Sequence, residues 1–311
     1  MFSIIGIIVV FGAVIGGFLL EHGKLAVLIQ PNELIIIGGA AIGTILVANP
    51  LPVITKTIKA MIGVLAGNPY NKAYYLESLK MLNDIFQFAR KSGMAKLEED
   101  VENPDKSATF SKYPKMLKDH HMLHFVCDTL RMSVSGVVAA HDLDAILEND
   151  IDVHHHEEAA PAKALSTVAD ALPGLGIVAA VLGVVITMGA LGGPPEEIGK
   201  KVAAALVGTF LGILLCYGLV GPLAARMGKM AEEEHAFLMV LRVTMIAFLK
   251  GVAPIMAVEI GRRTVPGHVR PSFAVVEAAC RGAKDAPAAE TPAESSADTS
   301  SGTTAAGAAA G

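Results

Sequence analysis

Four stretches of this chain, residues 2–20, 34–54, 173–191 and 202–225, contain no Asp, Glu, Lys, Arg or His. A helix rises about 1.5 Å per residue, so about 20 apolar residues cross the roughly 30 Å hydrocarbon core of a bilayer. Each stretch therefore predicts a membrane-spanning helix. The chain as a whole carries the same mark: 52% of its 311 residues are hydrophobic and only 18% are charged, where a globular chain has roughly 25% charged. Mean hydropathy is +0.51. A net charge of −5, with no basic stripe interleaved with aromatics, argues against a nucleic-acid partner. Cys127, Cys216 and Cys280 share no metal-ligand or redox spacing and read as buried, reduced thiols.

The first run has no Lys or Arg before it and extends to Leu20, longer than the apolar core of a signal peptide, so it is expected to be retained. A polar link closing with Pro31-Asn32-Glu33 leads to the second run. Asn49-Pro50 and Pro52 stand near the far end of that run, where proline kinks or ends a helix. Residues 1–54 thus predict one transmembrane hairpin. Between 55 and 170 both signs of charge return, and Leu76, Leu79, Leu82, Ile85 and Phe86 recur at helical spacing. That pattern predicts a helical polar insert, broken at Asn103-Pro104 and Tyr113-Pro114 because the residue before proline is pushed out of the α region. Residues 171–225 predict a second hairpin, its spans at 173–191 and 202–225 joined through Gly192-Gly193-Pro194-Pro195. A helical region, 226–282, follows, and the Ala, Ser, Thr, Pro and Gly of 283–311 predict a disordered tail. The fold expected is an all-α membrane protein, four transmembrane helices in two hairpins with a helical cytoplasmic insert. Lys56, Lys59, Arg226 and Lys229 follow spans two and four, which by positive-inside bias puts the insert and both termini in the cytoplasm. Lys200 and Lys201 on the opposite side are offset by Glu196 and Glu197.

An ion relay through lipid normally needs an Asp, Glu, Lys, Arg or His. None lies within the four runs so drawn, and the hairpins show no inverted repeat, so a self-contained pump or transporter is disfavoured. The chain is expected to be unable to carry a proton by itself. Gly12 and Gly16, Ala179 and Gly183, and Gly208 and Gly212 are small-xxx-small pairs that permit close helix approach, within one chain or between chains. Thr187 and Thr209 set hydroxyls at lipid depth, where each either bonds its own helix carbonyl or faces a path. His154-His155-His156 with Glu157 and Glu158, and His120 with His124, hold metal-binding residue types. Neither group has a further ligand at a telling spacing, and both read as helix surface, so no metal site is expected. No nucleophile elbow, zinc-protease, phosphate-loop or dinucleotide motif occurs in a fitting context, and no enzyme is expected.

Spans three and four with their flanks, "ALPGLGIVAAVLGVVITMGAL" and "LVGTFLGILLCYGLVGPLA", together with "ARKSGMAKLEEDVENP" and "VEIGRRTVPGHVRPSF", closely resemble the MotA subunits of the bacterial flagellar stator. The resemblance runs in order over about residues 1–281. Energising subunits of the ExbB and TolQ type share the general logic, but the 89–104 stretch and the four-span layout fit MotA better. What the resemblance implies is an inner-membrane motor subunit that self-associates into a ring, taken as a pentamer. The ring surrounds the helices of MotB, a single-span, peptidoglycan-anchored partner whose aspartate takes and releases the ion. Its cytoplasmic face pushes on the rotor protein FliG. No cofactor is expected, the coupling ion being H⁺. The alternatives are an ExbB/TolQ-type energiser driving an outer-membrane system, and a passive membrane scaffold.

By the same resemblance, Arg90 and Glu98 match the charged pair that meets FliG. A surface pair of opposite sign steers encounter and fixes register more than it adds affinity, and otherwise is only a solvated face. Lys91, Lys96, Glu99 and Asp100 are placed to share the role. Pro173 and Pro222 match the prolines at the cytoplasmic ends of spans three and four, either a hinge coupling protonation to motion of the insert or plain helix ends. Thr209 matches the threonine facing the partner's aspartate. Ala180 stands where sodium-driven relatives have a hydroxyl. A sodium ion needs several oxygen ligands and a proton one acceptor, so Ala180 predicts proton coupling.

Overall fold

A computed structural model of the chain describes residues 2–189 and 191–282. The expected disordered tail, 283–311, lies outside the described residues, as does Ala190 in the turn between spans three and four. Among the described residues there is no strand.

The chain opens with α1 (Phe2–Leu20), a short α2 (Leu25–Leu28), α3 (Pro31–Ala48) and α4 (Leu51–Ala66). Pro31 starts α3 in its first turn, where a missing backbone N–H costs nothing, and so brings Glu33 inside the helix. The helix that carries the second apolar run is therefore 31–48, and it contains a carboxylate. It ends at Asn49, which takes the extended conformation (φ −135°, ψ 145°) required of the residue before Pro50. Leu51 and Pro52 then begin α4 as a separate helix.

The polar segment folds as α5 (Lys72–Ser92), α6 (Met94–Glu102), two 3-10 turns (Pro104–Lys106 and Phe110–Lys112), α7 (Pro114–Lys118) and α8 (His120–Val134). Two of its breaks fall at the expected Asn103-Pro104 and Tyr113-Pro114, and others at Gly93 and Asp119. The Asn71 side chain caps α5 by accepting from the N–H groups of Ala73 and Tyr74. Leu79, Leu82, Ile85 and Phe86 are fully buried along one face of α5, with Leu76 at the edge of the same core. Then comes α9 (Ala140–Met188), 49 residues or about 70 Å long. It holds Pro161 and Pro173 without breaking and runs from the polar segment into the third apolar run. Next, α10 (Pro195–Leu215), one π-helical turn (Cys216–Val220) and α11 (Gly221–Leu249) follow one another without a gap, ahead of α12 (Pro254–Thr264) and α13 (Phe273–Arg281).

Four stretches of helix are long and apolar enough to cross a membrane: Ser3–Leu20, Leu25–Ala48, Ala140–Met188 and Pro195–Leu249. Among the described residues three cores lie along α9, and two of them reach α11. In the polar part, Phe86 stacks on Phe248 with ring centroids 4.1 Å apart, beside buried Tyr75, Phe110, Phe237 and Val258. Ile37, Ala41, Leu172, Ala179 and Cys216 join α3, α9 and the π turn. Between these two cores, Val64 of α4 packs with Leu165, Leu223 and Met227.

The long helices are also clamped by charge. Arg242 of α11 lies 2.8 Å from Asp144 and 3.1 Å from Glu148 on α9, and Lys250 lies 3.2 Å from Asp144. Burial alone would raise the Asp144 carboxyl, but hydrogen bonds from Lys250 and Arg242 outweigh it and hold the group below the usual carboxylate range. The 258–273 stretch forms a similar knot, with Glu259 2.6 Å from Arg262 and 3.0 Å from Arg263, and Arg262 donating to the Pro271 carbonyl. The three cysteines are free and buried, as expected. Burial pushes the Cys127 thiol up to about 12 and the Cys280 thiol up to about 11, which keeps both protonated.

Candidate functional site

Glycines set the contact between α9 and α10. A Cβ placed on Gly212 would lie 2.6 Å from the Leu172 carbonyl oxygen and 2.9 Å from the Gly176 Cα, and one on Gly183 would lie 2.7 Å from the Ala205 Cβ. Only hydrogen fits there, so the helix backbones touch. Two of the three small-xxx-small pairs thus serve packing within one chain. Gly12 and Gly16 on α1 have nothing of their own chain within 4 Å of a Cβ.

Ala180 and Thr209 flank this seam. Ala179, next to Ala180, packs on Gly208, next to Thr209, and a Cβ on Gly176 would stand 3.3 Å from the Thr209 Cα. Both residues are half-buried. The Thr187 hydroxyl donates to the Gly183 carbonyl at 2.8 Å, the back-bond weighed above, while the Thr209 hydroxyl has no such bond among the described residues.

Glu33 reaches the same seam and is 7% exposed. Its Oε2 is buried without a hydrogen-bond partner among the described residues. The expectation that the runs hold no acidic or basic residue stands for the runs as drawn, but the helix that carries the second one also includes Glu33. That run begins at Leu34, whereas Pro31 starts the helix early enough to take in Glu33.

Pro173 lies within α9 rather than at an end, which removes the helix-end reading. Pro222 stands one residue beyond the π turn, after Gly221. Proline lacks an N–H and its ring collides with the carbonyl four residues back, and the wider π turn relieves that collision. α1 also meets the chain at this turn, a Cβ on Gly218 falling 2.9 Å from Val10. Pro222 was legible in the sequence; the extra residue in the turn before it had no separate signal.

Arg90 sits in the last turn of α5 and Glu98 in α6, both exposed. Gly93 joins the two helices at φ +89°, a conformation that glycine alone adopts freely. Buried Leu97 and Val101 hold α6 down. That turns Glu98 and Glu99 outward, with Lys91 and Lys96 exposed beside them. The fold therefore presents the predicted charged pair on one corner of the polar part, far along the chain from the seam.

The histidines are more than a helix surface. His154 Nε2 lies 3.1 Å from Glu234 on α11, and its ring is 4.6 Å from that of His121. The hydrogen bond with Glu234 raises the His154 pKa against the opposing effect of burial. His155 and His235 rings approach to 4.7 Å. Among the described residues no group of three His, Cys, Asp or Glu has metal-binding geometry.

A family model described as Motility protein A N-terminal matches residues 4–93, and one described as the MotA/TolQ/ExbB proton channel family matches residues 118–238. Motility protein A of Escherichia coli (strain K12) is 41% identical over 285 residues, covering 92% of this chain and 97% of that protein. Chemotaxis protein LafT of Vibrio parahaemolyticus is 34% identical over 277 residues, 89% of this chain and 97% of that protein. The solved flagellar MotAB stator complex from Bacillus subtilis matches with a TM-score of 0.67 at 25% identity, over 83% of this chain and 92% of that chain. Campylobacter jejuni MotAB, at 16% identity, shows the same fold with a TM-score of 0.72 over 87% of this chain and 98% of that one. The family model over 118–238 puts the chain in the class of proton-channel subunits. The chain belongs to the MotA/TolQ/ExbB proton channel family, on its motility protein A branch. It is a proton-channel subunit of the flagellar stator in the inner membrane, the reading these relatives favour over the energiser alternative.

Proposed function

We propose that the chain forms the ring of the stator. With a single-span, peptidoglycan-anchored MotB-type partner supplying the ion-binding aspartate, it conducts protons across the inner membrane and converts proton-motive force into torque on FliG. In this reading four spans form two hairpins, the termini and residues 55–170 are cytoplasmic, and five copies close the ring. No metal or cofactor takes part.

The observation that carries the reading is α9. One helix of 49 residues bears the glycine seam and Pro173 in one half and packs its other half into the part that presents Arg90 and Glu98. A continuous helix transmits a displacement along its axis, so a change at the seam reaches the charged corner without a loop to absorb it. Thr209 and Ala180 line the ion path in this scheme, and the absent hydroxyl at Ala180 favours a proton over sodium.

The test is complementation of a strain lacking its own stator. The chain expressed with its partner restores swimming, which a proton uncoupler abolishes, which external sodium does not alter, and which fails when the partner's membrane aspartate becomes Asn. Swimming that tracks sodium and survives the uncoupler overturns proton coupling. Co-purification with a partner carrying an outer-membrane receptor-binding domain overturns the stator reading.

A further inference from the structure

Glu33 of α3 is a carboxylate set against two further apolar helices, α9 and α10, with no ion-pair or hydrogen-bond partner for its buried Oε2 among the described residues. A Cβ on Gly208 would stand 2.8 Å from its Oε2 and 3.2 Å from the Ala179 Cβ, so the carboxylate lies where α3 crosses α9 and α10. Gly208 is about 20 Å along α10 from Pro195, and Ala179 about 13 Å from the Met188 end of α9, so this is not the rim of the bundle. Residues 34–48 of α3, 171–188 of α9 and 202–215 of α10 contain no Asp, Glu, Lys, Arg or His, and the charged groups next along these elements are Lys200 and Lys201 on α10, Asp170 on α9 and Lys24 ahead of α2. The other titratable side chains of the spans are the buried Cys216 thiol, on the π turn, and Tyr217, which is 73% exposed.

An isolated carboxylate in such surroundings carries a desolvation cost that no ion pair or hydrogen bond offsets, and ionisable groups are kept in membrane spans for function. Packing does not account for it, since the seam closes on glycine and alanine. Gly208, against which it lies, and Ala179, which packs on Gly208, adjoin in sequence the two residues assigned to the ion path.

We infer that Glu33 is a proton-binding site of the ring subunit itself, a relay carboxylate on the extracytoplasmic approach to the partner's aspartate. The inference rests on the proton-conducting reading and the topology proposed above. In each cycle an O–H bond forms on Glu33 as water delivers a proton. That bond breaks as the proton passes on through water to the partner's carboxylate, leaving Glu33 ionised and unchanged. The ring then takes part in proton uptake instead of only walling the path.

The test uses the full complex in the stator-less strain. With Glu33→Gln, stall torque and membrane level stay near wild type, while speed at low load, where proton supply limits rotation, falls several-fold. The deficit deepens as external pH rises, and Glu33→Asp restores most of the speed. Wild-type speed in Glu33→Gln at every pH overturns the inference, as does equal loss of assembly and stall torque in the Gln and Asp variants, which makes Glu33 a packing residue. A second measurement needs no change in this chain. Infrared spectra of the purified complex, with the partner's aspartate replaced by Asn, retain a buried-carboxyl band that changes with pH, and its absence counts against Glu33. Failure of the wild-type chain to restore swimming is the separate result that sinks the functional reading.

Discussion

Arg90 and Glu98 show what one exposed residue can do in this protein. Neither is buried and neither is held in an ion pair among the described residues, so neither contributes much to stability. Arg90→Glu or Glu98→Lys is expected to cut swimming while the level of protein in the membrane stays at wild type; a matching drop in both measurements would make the residues structural. His154 behaves in the opposite way. Its pKa is raised by Glu234, so the stability it adds is complete below about pH 6.5, the ordinary value of the unfolded chain, and is lost as pH rises through the raised value. The detergent-purified protein is expected to lose thermal stability over that rise, and His154→Gln to flatten the dependence. The charged corner was legible because its motif lies in one continuous stretch. The His154 pairing was not, because Glu234 is 80 residues away. Glu33 escaped for a different reason: a span chosen for its lack of charge cannot contain one, and only the placement of Pro31 showed where the helix begins.

Helices, not single contacts, decide how the spans pack. Gly212→Ala puts a methyl group where the Leu172 carbonyl and the Gly176 Cα already stand. The backbones must part, at a cost of about 1–3 kcal/mol. Loss of assembled complex on native gels is the expected result. Gly12→Ala and Gly16→Ala meet open space in their own chain and are expected to leave its folding unchanged by protease resistance. The sequence showed all three small pairs equally well. Which of them faces the same chain depends on helix rotation, which spacing alone leaves open. The third span was likewise legible as a run but not as the end of a much longer helix, because hydropathy registers lipid and is blind to the continuation of α9 into polar surroundings.

At the scale of the whole molecule, the polar and apolar parts share α9 and α11, and Arg242 ties those two helices together. Its side chain is 11% exposed between Asp144 and Glu148. Arg242→Ala leaves Asp144 with Lys250 as its remaining partner and Glu148 to solvent, and is expected to cost about 1–2 kcal/mol, read as earlier thermal unfolding and faster trypsin cleavage. The all-helical layout, the breaks at prolines and the buried thiols were legible in advance. The clamp was not, because its partners are 94 and 98 residues apart.

The π turn at Cys216–Val220 carries one residue more than an α turn would. Each residue advances an α-helix by about 100° in azimuth. Deleting one residue there would let the rod run as plain α-helix, and everything downstream would swing by about that angle. Arg242 would then face away from Asp144, and Phe248 away from Phe86. The surplus residue is therefore a phase setting, and its omission would uncouple the two ends of the rod while leaving every side chain in the sequence otherwise intact.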